Sequence, residues 1–342
     1  MNQESQKKLK IALDAMGSDY SPNSEIDGVI SFFNQNPDLM NSVEVILVGD
    51  EKLLRDKLAS NKLVDKNITF HHASQVVEMC DEPTSILKNK KDSSLYKGLV
   101  LVKNKEADAF LSAGNTGGVL SVSTVLLGRI NGVSRPTIGA LFPTKNKDFC
   151  LVVDVGANAE VKPKFLYEFG IMGSIYASEI LGIKSPRVGL LNIGEEESKG
   201  TSIIQEAHQL MKKADFNFIG NIEGRDILQG NVDVVICDGF VGNIVMKFAE
   251  SVIDFLKGSF KNYAAQGFIN KISVALFLPI LKNVLKSLDY QESGGVPLIG
   301  VNGNVIIGHG KSTPKAIMNM INRAVDAIQK DINRQIEAKL NT

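Results

Sequence analysis

Short runs rich in Val, Ile and Leu recur along the chain, each closing on Gly, Asp or Asn and each followed by a stretch of helical spacing. That alternation is the pattern of strands buried on both faces of a parallel sheet with helices packed over them. The predicted strands are Lys10–Asp14, Val43–Gly49, Ile68–His72, Ala109–Ser112, Phe149–Val155, Arg187–Ile193, Phe216–Ile219, Val232–Cys237 and Val305–Ile307. Helical spacing covers Asn23–Phe33, Thr116–Gly128, Lys164–Leu181, Thr201–Lys213, Asn243–Lys257 and Pro314–Lys330. Ser21-Pro22 reads as an N-cap followed by a proline at the first helical position. The class predicted is α/β, doubly wound on a mostly parallel sheet.

One segment breaks the alternation. Residues 254–288 hold two helix-length stretches with no strand between them, and read as a helical insertion. Lys257, Lys261, Lys271, Lys282 and Lys286 stand there against Asp254 alone, a local charge of +4. With Phe255, Phe260, Phe268 and Phe277 beside them, they suit an amphipathic helix lying on anionic lipid, or equally a contact between two copies of the chain. The apolar run Ile272–Leu281 is about half the roughly 20 residues a membrane span needs, and Pro279 interrupts it.

A chain of 342 residues can bury a large core as a single catalytic unit, with room for two lobes of about 150 residues each. The 38 Lys and Arg balance 38 Asp and Glu, which argues against a nucleic-acid partner. Cys80, Cys150 and Cys237 are widely spaced with no CxxC pair, so neither disulfides nor zinc are expected and the protein reads as cytosolic. No long apolar segment of the kind found in signal peptides precedes Ile11.

In a parallel sheet, ligands gather at the carboxyl ends of strands, where helix N-termini point free N–H groups outward. Ser112-Ala-Gly-Asn-Thr-Gly-Gly118 follows one such strand: its glycines admit close backbone approach, and Ser112, Asn115 and Thr116 add short polar groups. It is an anion site or an ordinary capped turn. Asp154–Asn158, Asn192–Glu195, Gly220–Arg225 and Cys237–Asn243 occupy equivalent places, and five such turns are expected to converge on one rim. Glu195-Glu-Glu197, Asp154 and Asp238 are either a divalent-metal cluster or, with Lys199 following, a solvated acidic turn; the latter is preferred and no metal is expected.

Gly308-His-Gly-Lys-Ser-Thr313 fails as a phosphate loop because Val305 stands where its first glycine belongs. No GxGxxG follows an early strand, so nicotinamide is not expected, and no other cofactor is either. There is no GxSxG elbow, and Cys237 reads as a buried strand-end thiol. His309, between two glycines, is the histidine best placed for catalysis, while His71 and His72 fall in a strand and His208 in a helix.

Read together, Ile11–Gly17, Ser112–Gly117, Arg135-Pro136, Asp154–Asn158, Val188–Gly194, Lys199-Gly200, Phe218–Arg225, Cys237–Asn243, Gly294-Gly295 and His309-Gly310 resemble the bacterial phosphate acyltransferase (PlsX) family over nearly the whole chain. That family makes acyl-phosphate from acyl-acyl carrier protein and inorganic phosphate for phospholipid synthesis. The resemblance implies a three-layer α/β/α fold like that of isocitrate and isopropylmalate dehydrogenases. It also implies a homodimer and a cytoplasmic enzyme peripheral to the inner face of the membrane, feeding a downstream glycerol-3-phosphate acyltransferase. One departure stands out: the family's first turn shows Gly-Gly-Asp followed by His, whereas here Gly17-Ser18-Asp19 is followed by Tyr20.

Phosphate is already anionic and nucleophilic, so attack on a thioester needs alignment and oxyanion donors more than a base. The roles expected are phosphate on the backbone of Asn115-Thr116-Gly117 with charge offset by Lys199 and Arg135, and oxyanion donation by Asn221 and Asn243. Asp238 orients Asn or Lys partners, and His309 protonates the departing thiol. Asn158, Asn192 and Arg225 complete the substrate-binding set. The competing readings are a coenzyme A-dependent phosphotransacylase, a decarboxylating dehydrogenase of similar fold, and a non-catalytic membrane scaffold.

Overall fold

The computed structural model describes residues 8–59, 61–146, 148–286 and 294–341. The first half of the chain runs β1 (Leu9–Asp14), α1 (Asn23–Gln35), β2 (Val43–Gly49), α2 (Glu51–Leu58), β3 (Ile68–His72), α3 (Pro83–Asn89), α4 (Ser94–Lys103), β4 (Ala109–Ser112) and α5 (Thr116–Leu126). Next come β5 (Thr137–Pro143), β6 (Phe149–Val153), α6 (Pro163–Leu181), β7 (Val188–Leu191), α7 (Ser202–Met211), β8 (Phe218–Ile222), β9 (Val234–Ile236), α8 (Gly239–Ala265) and α9 (Phe268–Lys286). The chain closes with β10 (Val296–Ile299), β11 (Asn304–Ile307), α10 (Pro314–Gln329) and α11 (Ile332–Leu340). These elements fall into two compact units, the first being Met1–Ile138, Ser178–Gly182 and Ser293–Thr342, the second Gly139–Ala177 and Ile183–Glu292.

In the first unit the strands lie in the order β3-β2-β1-β4-β11-β10, parallel except for β10. Alternate residues Ile11, Leu13, Val45, Leu47 and Leu111 share one core cluster with Val29, Phe32, Phe33, Ile317 and Ile321 of α1 and α10. Phe32 and Phe33 meet edge to face at 5.0 Å, and each buried ring contributes about 2–3 kcal/mol. Phe110, one residue out of phase with Leu111, packs instead against Gly98 of α4. The carboxyl ends of β1, β4 and β11 therefore share an edge.

In the second unit the order is β5-β6-β9-β7-β8, with β5 antiparallel to β6 and the rest parallel. Val152, Val153, Leu190, Val234, Val235 and Ile236 are buried, and Gly173 lets α6 settle on Val234 and Val153. The turns after β6, β7, β8 and β9 all leave from one edge of this sheet.

The mostly parallel α/β architecture holds, and every predicted strand and helix has a counterpart, although the helix predicted over Asn243–Lys257 runs from Gly239 to Ala265. The pattern missed β5, β10 and several short helices. Pro297 lies inside β10, where it pairs only with Ile306 of β11, so its missing N–H is not required by a second neighbour. Ser21 is not the cap of α1: Pro22 holds that position, and the Ser21 hydroxyl donates to the Ser18 carbonyl at 2.8 Å.

The insertion does not begin where the strand pattern stops. It extends α8, which runs unbroken from Gly239 to Ala265, and α9 continues through Pro279 to Lys286; Ser287 and Leu288 lie outside the described residues. Phe248, Phe255, Phe268, Ile269, Leu276 and Phe277 are all exposed. Among the described residues no helix is long and apolar enough to cross a membrane.

Candidate functional site

The edge of the first unit is built around Ser112. Its hydroxyl donates to Asp14 Oδ2 at 2.7 Å and accepts the Gly114 N–H at 3.1 Å. The turn after β1 presses against the turn after β4, since a Cβ on Gly17 would lie 2.6 Å from Asp14 Oδ2 and 3.1 Å from Gly114 N. The turn after β11 joins them: Gly308 N–H donates to the Ser112 carbonyl at 2.8 Å, and Asp19 N–H to the Gly310 carbonyl at 2.8 Å. Glycines here let three backbones meet.

Asn115 caps α5, its Oδ1 accepting the Gly118 N–H at 2.8 Å. Its Nδ2 reaches the carbonyls of Glu78, Met79 and Asp81 at 3.2, 3.0 and 3.0 Å, pinning that loop beside the helix start. Lys90 bonds Asp81 and holds its carboxyl below the usual range. The Asn115 and Ser112 side chains thus serve the protein's own frame. What faces outward is the first turn of α5, where Thr116 is exposed and Gly117 half-buried, with N–H groups that have no intrahelical acceptor. His309 is half-buried, and its Nδ1 accepts the Lys311 N–H at 3.1 Å, which in the neutral ring leaves the proton on Nε2. Arg135 is exposed on this unit.

Two carboxylates lie beneath this edge. Asp14 is 1% and Glu25 0% exposed. Burial raises Asp14 despite the Ser94, Ser112 and Met16 hydrogen bonds. Burial also pushes Glu25 up to about 7, with Ser18 offsetting this in part and the charge of Asp14 adding to it. Sequence reasoning passed over Glu25, although it left a signal: Glu25 occupies the apolar stripe of α1 with Val29 and Phe32, where a carboxyl breaks the pattern.

On the second unit the polar side chains mostly brace one another. Asp154 accepts the Gly156 and Ala157 N–H groups and both the N–H and Nδ2 of Asn158, at 2.7–3.2 Å. Asp238 is the N-cap of α8, accepting the Val241 N–H at 2.8 Å. Asn243 follows just past the first turn of α8, exposed and beside Gly156. Asn192 spans its own loop, with Nδ2 on the Lys199 carbonyl at 3.1 Å and Oδ1 on the Ile193 N–H at 2.8 Å. Lys199 is exposed at the end of that loop.

Asn221, placed by the sequence reading at the oxyanion, is buried: its Oδ1 meets His208 Nδ1 at 3.0 Å and its Nδ2 donates to the Glu196 carbonyl at 2.9 Å. His208, overlooked as a mid-helix residue, therefore ties α7 to Asn221 within β8, and Asn221 in turn holds the loop that ends at Lys199. Arg225 pairs with Glu223 at 3.1 Å and Glu195 at 3.6 Å, and Glu197 with Lys212 at 2.8 Å. The acidic turn is thus matched by cations, and no group of three or more His, Cys, Asp and Glu is gathered for a metal among the described residues. Cys237 is buried just past β9, and burial drives its thiol far above its ordinary range. The five turns do not share one unit, since Ser112–Gly118 belongs to the first and the other four to the second.

Fold and turns define an α/β protein whose glycine turns and helix N-termini, set at the carboxyl ends of parallel strands, suit anionic ligands. The family described as "Fatty acid synthesis protein" matches residues 9–335. Proteins named "Phosphate acyltransferase" from Clostridium novyi (strain NT) and Campylobacter jejuni subsp. jejuni serotype O:23/36 (strain 81-176) are 42% and 44% identical, over 97% of this chain and 98% of each relative. The chain belongs to this phosphate acyltransferase family, and it is an enzyme. Its fold is also that of a Streptococcus pyogenes phosphotransacetylase (TM-score 0.62, 15% identity, 96% of this chain and 95% of that one). The EutD phosphotransacetylase from Staphylococcus aureus is similar in the same way (0.57, 19%, 95% of each).

Proposed function

We propose that the enzyme transfers a fatty acyl group from acyl-acyl carrier protein to inorganic phosphate. The observation that carries this reading is identity of 42–44% across 97% of the chain with proteins whose name joins phosphate to acyl transfer. A phosphate oxygen forms the new bond to the thioester carbonyl carbon, the C–S bond breaks, and sulfur leaves with the electron pair and takes a proton. Phosphate sits at the first turn of α5, on the N–H groups of Thr116 and Gly117, where the helix dipole favours an anion. His309 Nε2 supplies the proton to sulfur. Lys199 and Asn243 are the further candidates, for charge offset and for oxyanion donation. Lys199→Ala and Asn243→Ala variants with unaltered turnover and phosphate affinity would remove both.

The decisive assay is phosphate-dependent release of acyl carrier protein from palmitoyl-acyl carrier protein, with acyl phosphate as the co-product; no release sinks the reading. The fold likeness to phosphotransacetylases favours a second reading in which coenzyme A carries the acyl group. Assaying both thioesters side by side decides between them. The product suits a glycerol-3-phosphate acyltransferase as the next enzyme in phospholipid synthesis.

The same reading makes the enzyme a cytoplasmic homodimer, peripheral to the inner face of the membrane, with residues 254–288 as the contact element. The exposed Phe255 and Leu276 and the lysines of α8 and α9 support this. Co-sedimentation with anionic vesicles tests it. Wild type that stays in the supernatant, and a Leu276→Glu variant that merely becomes monomeric, would leave the dimer contact alone.

A further inference from the structure

The loop that ends at Lys199 is fastened by two buried side chains to which the proposed reaction gives no part. His208 of α7 is 3% and Asn221 of β8 6% exposed. Asn221 Nδ2 donates to the Glu196 carbonyl at 2.9 Å, which turns its Oδ1 towards His208 Nδ1 at 3.0 Å. An amide oxygen only accepts, so Nδ1 carries the proton. The Glu196 carbonyl also accepts the Lys199 N–H at 3.0 Å. One line of hydrogen bonds therefore runs from His208 through Asn221 and the Glu196 carbonyl to the backbone of Lys199.

The other side of the ring faces the same loop. His208 Nε2 stands 3.7 Å from Glu197 Oε1, which Lys212 holds at 2.8 Å, and Gln209 donates to Glu197 Oε2 at 3.3 Å. The ring meets Phe218 of β8 edge to face at 5.1 Å, so packing as well as bonding fixes its orientation. At the exposed end, the Lys199 stem crosses Gly194, where a Cβ would lie 3.1 Å from Lys199 Cγ. Gln205 also holds the loop, on the Ser198 and Gly200 carbonyls at 2.7 and 3.3 Å, and Asn192 on the Lys199 carbonyl at 3.1 Å. Of these ties the His208–Asn221 bond is the one closed to water, and such a bond keeps its geometry because nothing stands ready to replace it.

We propose that His208 is a positioning residue for Lys199: through Asn221 it fixes the backbone from which the lysine projects, and so sets the strength with which phosphate is bound. A loop that must be ordered at the moment of binding charges that entropy against the attraction of its ammonium group for an anion. This rests on the reading of Lys199 as the cation that offsets the phosphate charge.

The test is amide hydrogen exchange across residues 193–200 together with calorimetric titration of inorganic phosphate. Both are measured on wild type, His208→Phe, His208→Asn, Lys199→Ala and the His208→Phe, Lys199→Ala double variant, with the acyl-phosphate assay alongside. Phenylalanine keeps a ring against Phe218 and removes the donor, whereas asparagine puts an N–H where Nδ1 stood. Expected in His208→Phe are faster exchange at the Lys199 amide and roughly tenfold weaker phosphate binding, with both restored in His208→Asn. In the assay the loss falls on KM for phosphate, with kcat at saturating phosphate unchanged. Once Lys199 is alanine, His208→Phe weakens phosphate binding no further.

Wild-type exchange and phosphate affinity in His208→Phe overturn the proposal, while a weakened Lys199→Ala leaves the reading of Lys199 standing. A His208→Phe loss that persists in full without Lys199, or that His208→Asn fails to restore, overturns it as well. If Lys199→Ala binds phosphate as wild type does, the reading of Lys199 falls and the proposal with it. If the affinities follow the expected order but no acyl phosphate forms, the positioning role stands and the proposed reaction falls. Should His208→Phe not fold, Asn221→Asp, which keeps the acceptor for His208 and removes the donor to Glu196, is expected to show the same two losses, and their absence overturns the proposal.

Discussion

The Ser112 hydroxyl donates to Asp14 Oδ2 at 2.7 Å across 98 residues of sequence, tying the carboxyl end of β4 to that of β1. This is the bond on which the edge of the first unit is assembled, because the same oxygen also accepts the Gly114 N–H. Ser112→Ala leaves a buried carboxyl and a buried N–H each short of a partner. Urea unfolding of this variant is expected to show a loss of about 1–3 kcal/mol; a change of only a few tenths would mean that Asp14 is satisfied elsewhere.

Asn115 both caps α5 and donates to three carbonyls of the 78–81 loop. Asn115→Asp keeps the cap acceptor and removes the donors. The variant should retain most of its helical circular dichroism, be cleaved faster by protease within residues 78–82, and lose about 1–2 kcal/mol. Wild-type cleavage rates would show that the loop is held by other contacts.

Glu25 makes stability depend on pH in a stated direction. Its folded value of about 7 lies above the 4.5 of the free side chain. The folded state is therefore favoured fully below 4.5, and that advantage is lost as pH rises through 7. The loss amounts to about 3 kcal/mol. Glu25→Gln should flatten this part of the profile. Parallel profiles for the two proteins in denaturant titrations would show that the acid is not titrating there.

Gly242, in the first turn of α8, faces the Asp154 carbonyl so closely that an added Cβ would lie 1.8 Å from that oxygen. Backbone has to move to admit it. Gly242→Ala is expected to lower stability by more than about 3 kcal/mol and to abolish soluble expression at growth temperature, read by the soluble fraction and its melting temperature. A folded variant near wild-type stability would require α8 to start elsewhere.

The α/β pattern was legible because it is local. Runs such as Val43–Gly49 carry strand period and burial together, and they end where the structure ends them. Val296–Ile299 escaped because Pro297 argues against a strand until its pairing partners are known. Among site residues, the Ser112–Gly118 turn was recognisable from composition, yet Asn115, Asn158, Asn192 and Asn221 all looked alike as exposed amides on glycine turns. The structure spends each of those side chains on protein groups.

The sequence by itself determined the class of protein, its family, and the strand-end turns where polar groups collect, because periodicity, glycine placement and motif order are properties of neighbouring residues. Only the tertiary structure decided that His208 braces Asn221, that Asn115 holds a loop more than thirty residues earlier, and that Glu25 is sealed beside Asp14. A hydrogen-bond partner or a desolvated charge is set by what the fold brings across from distant segments, and local pattern carries no record of that.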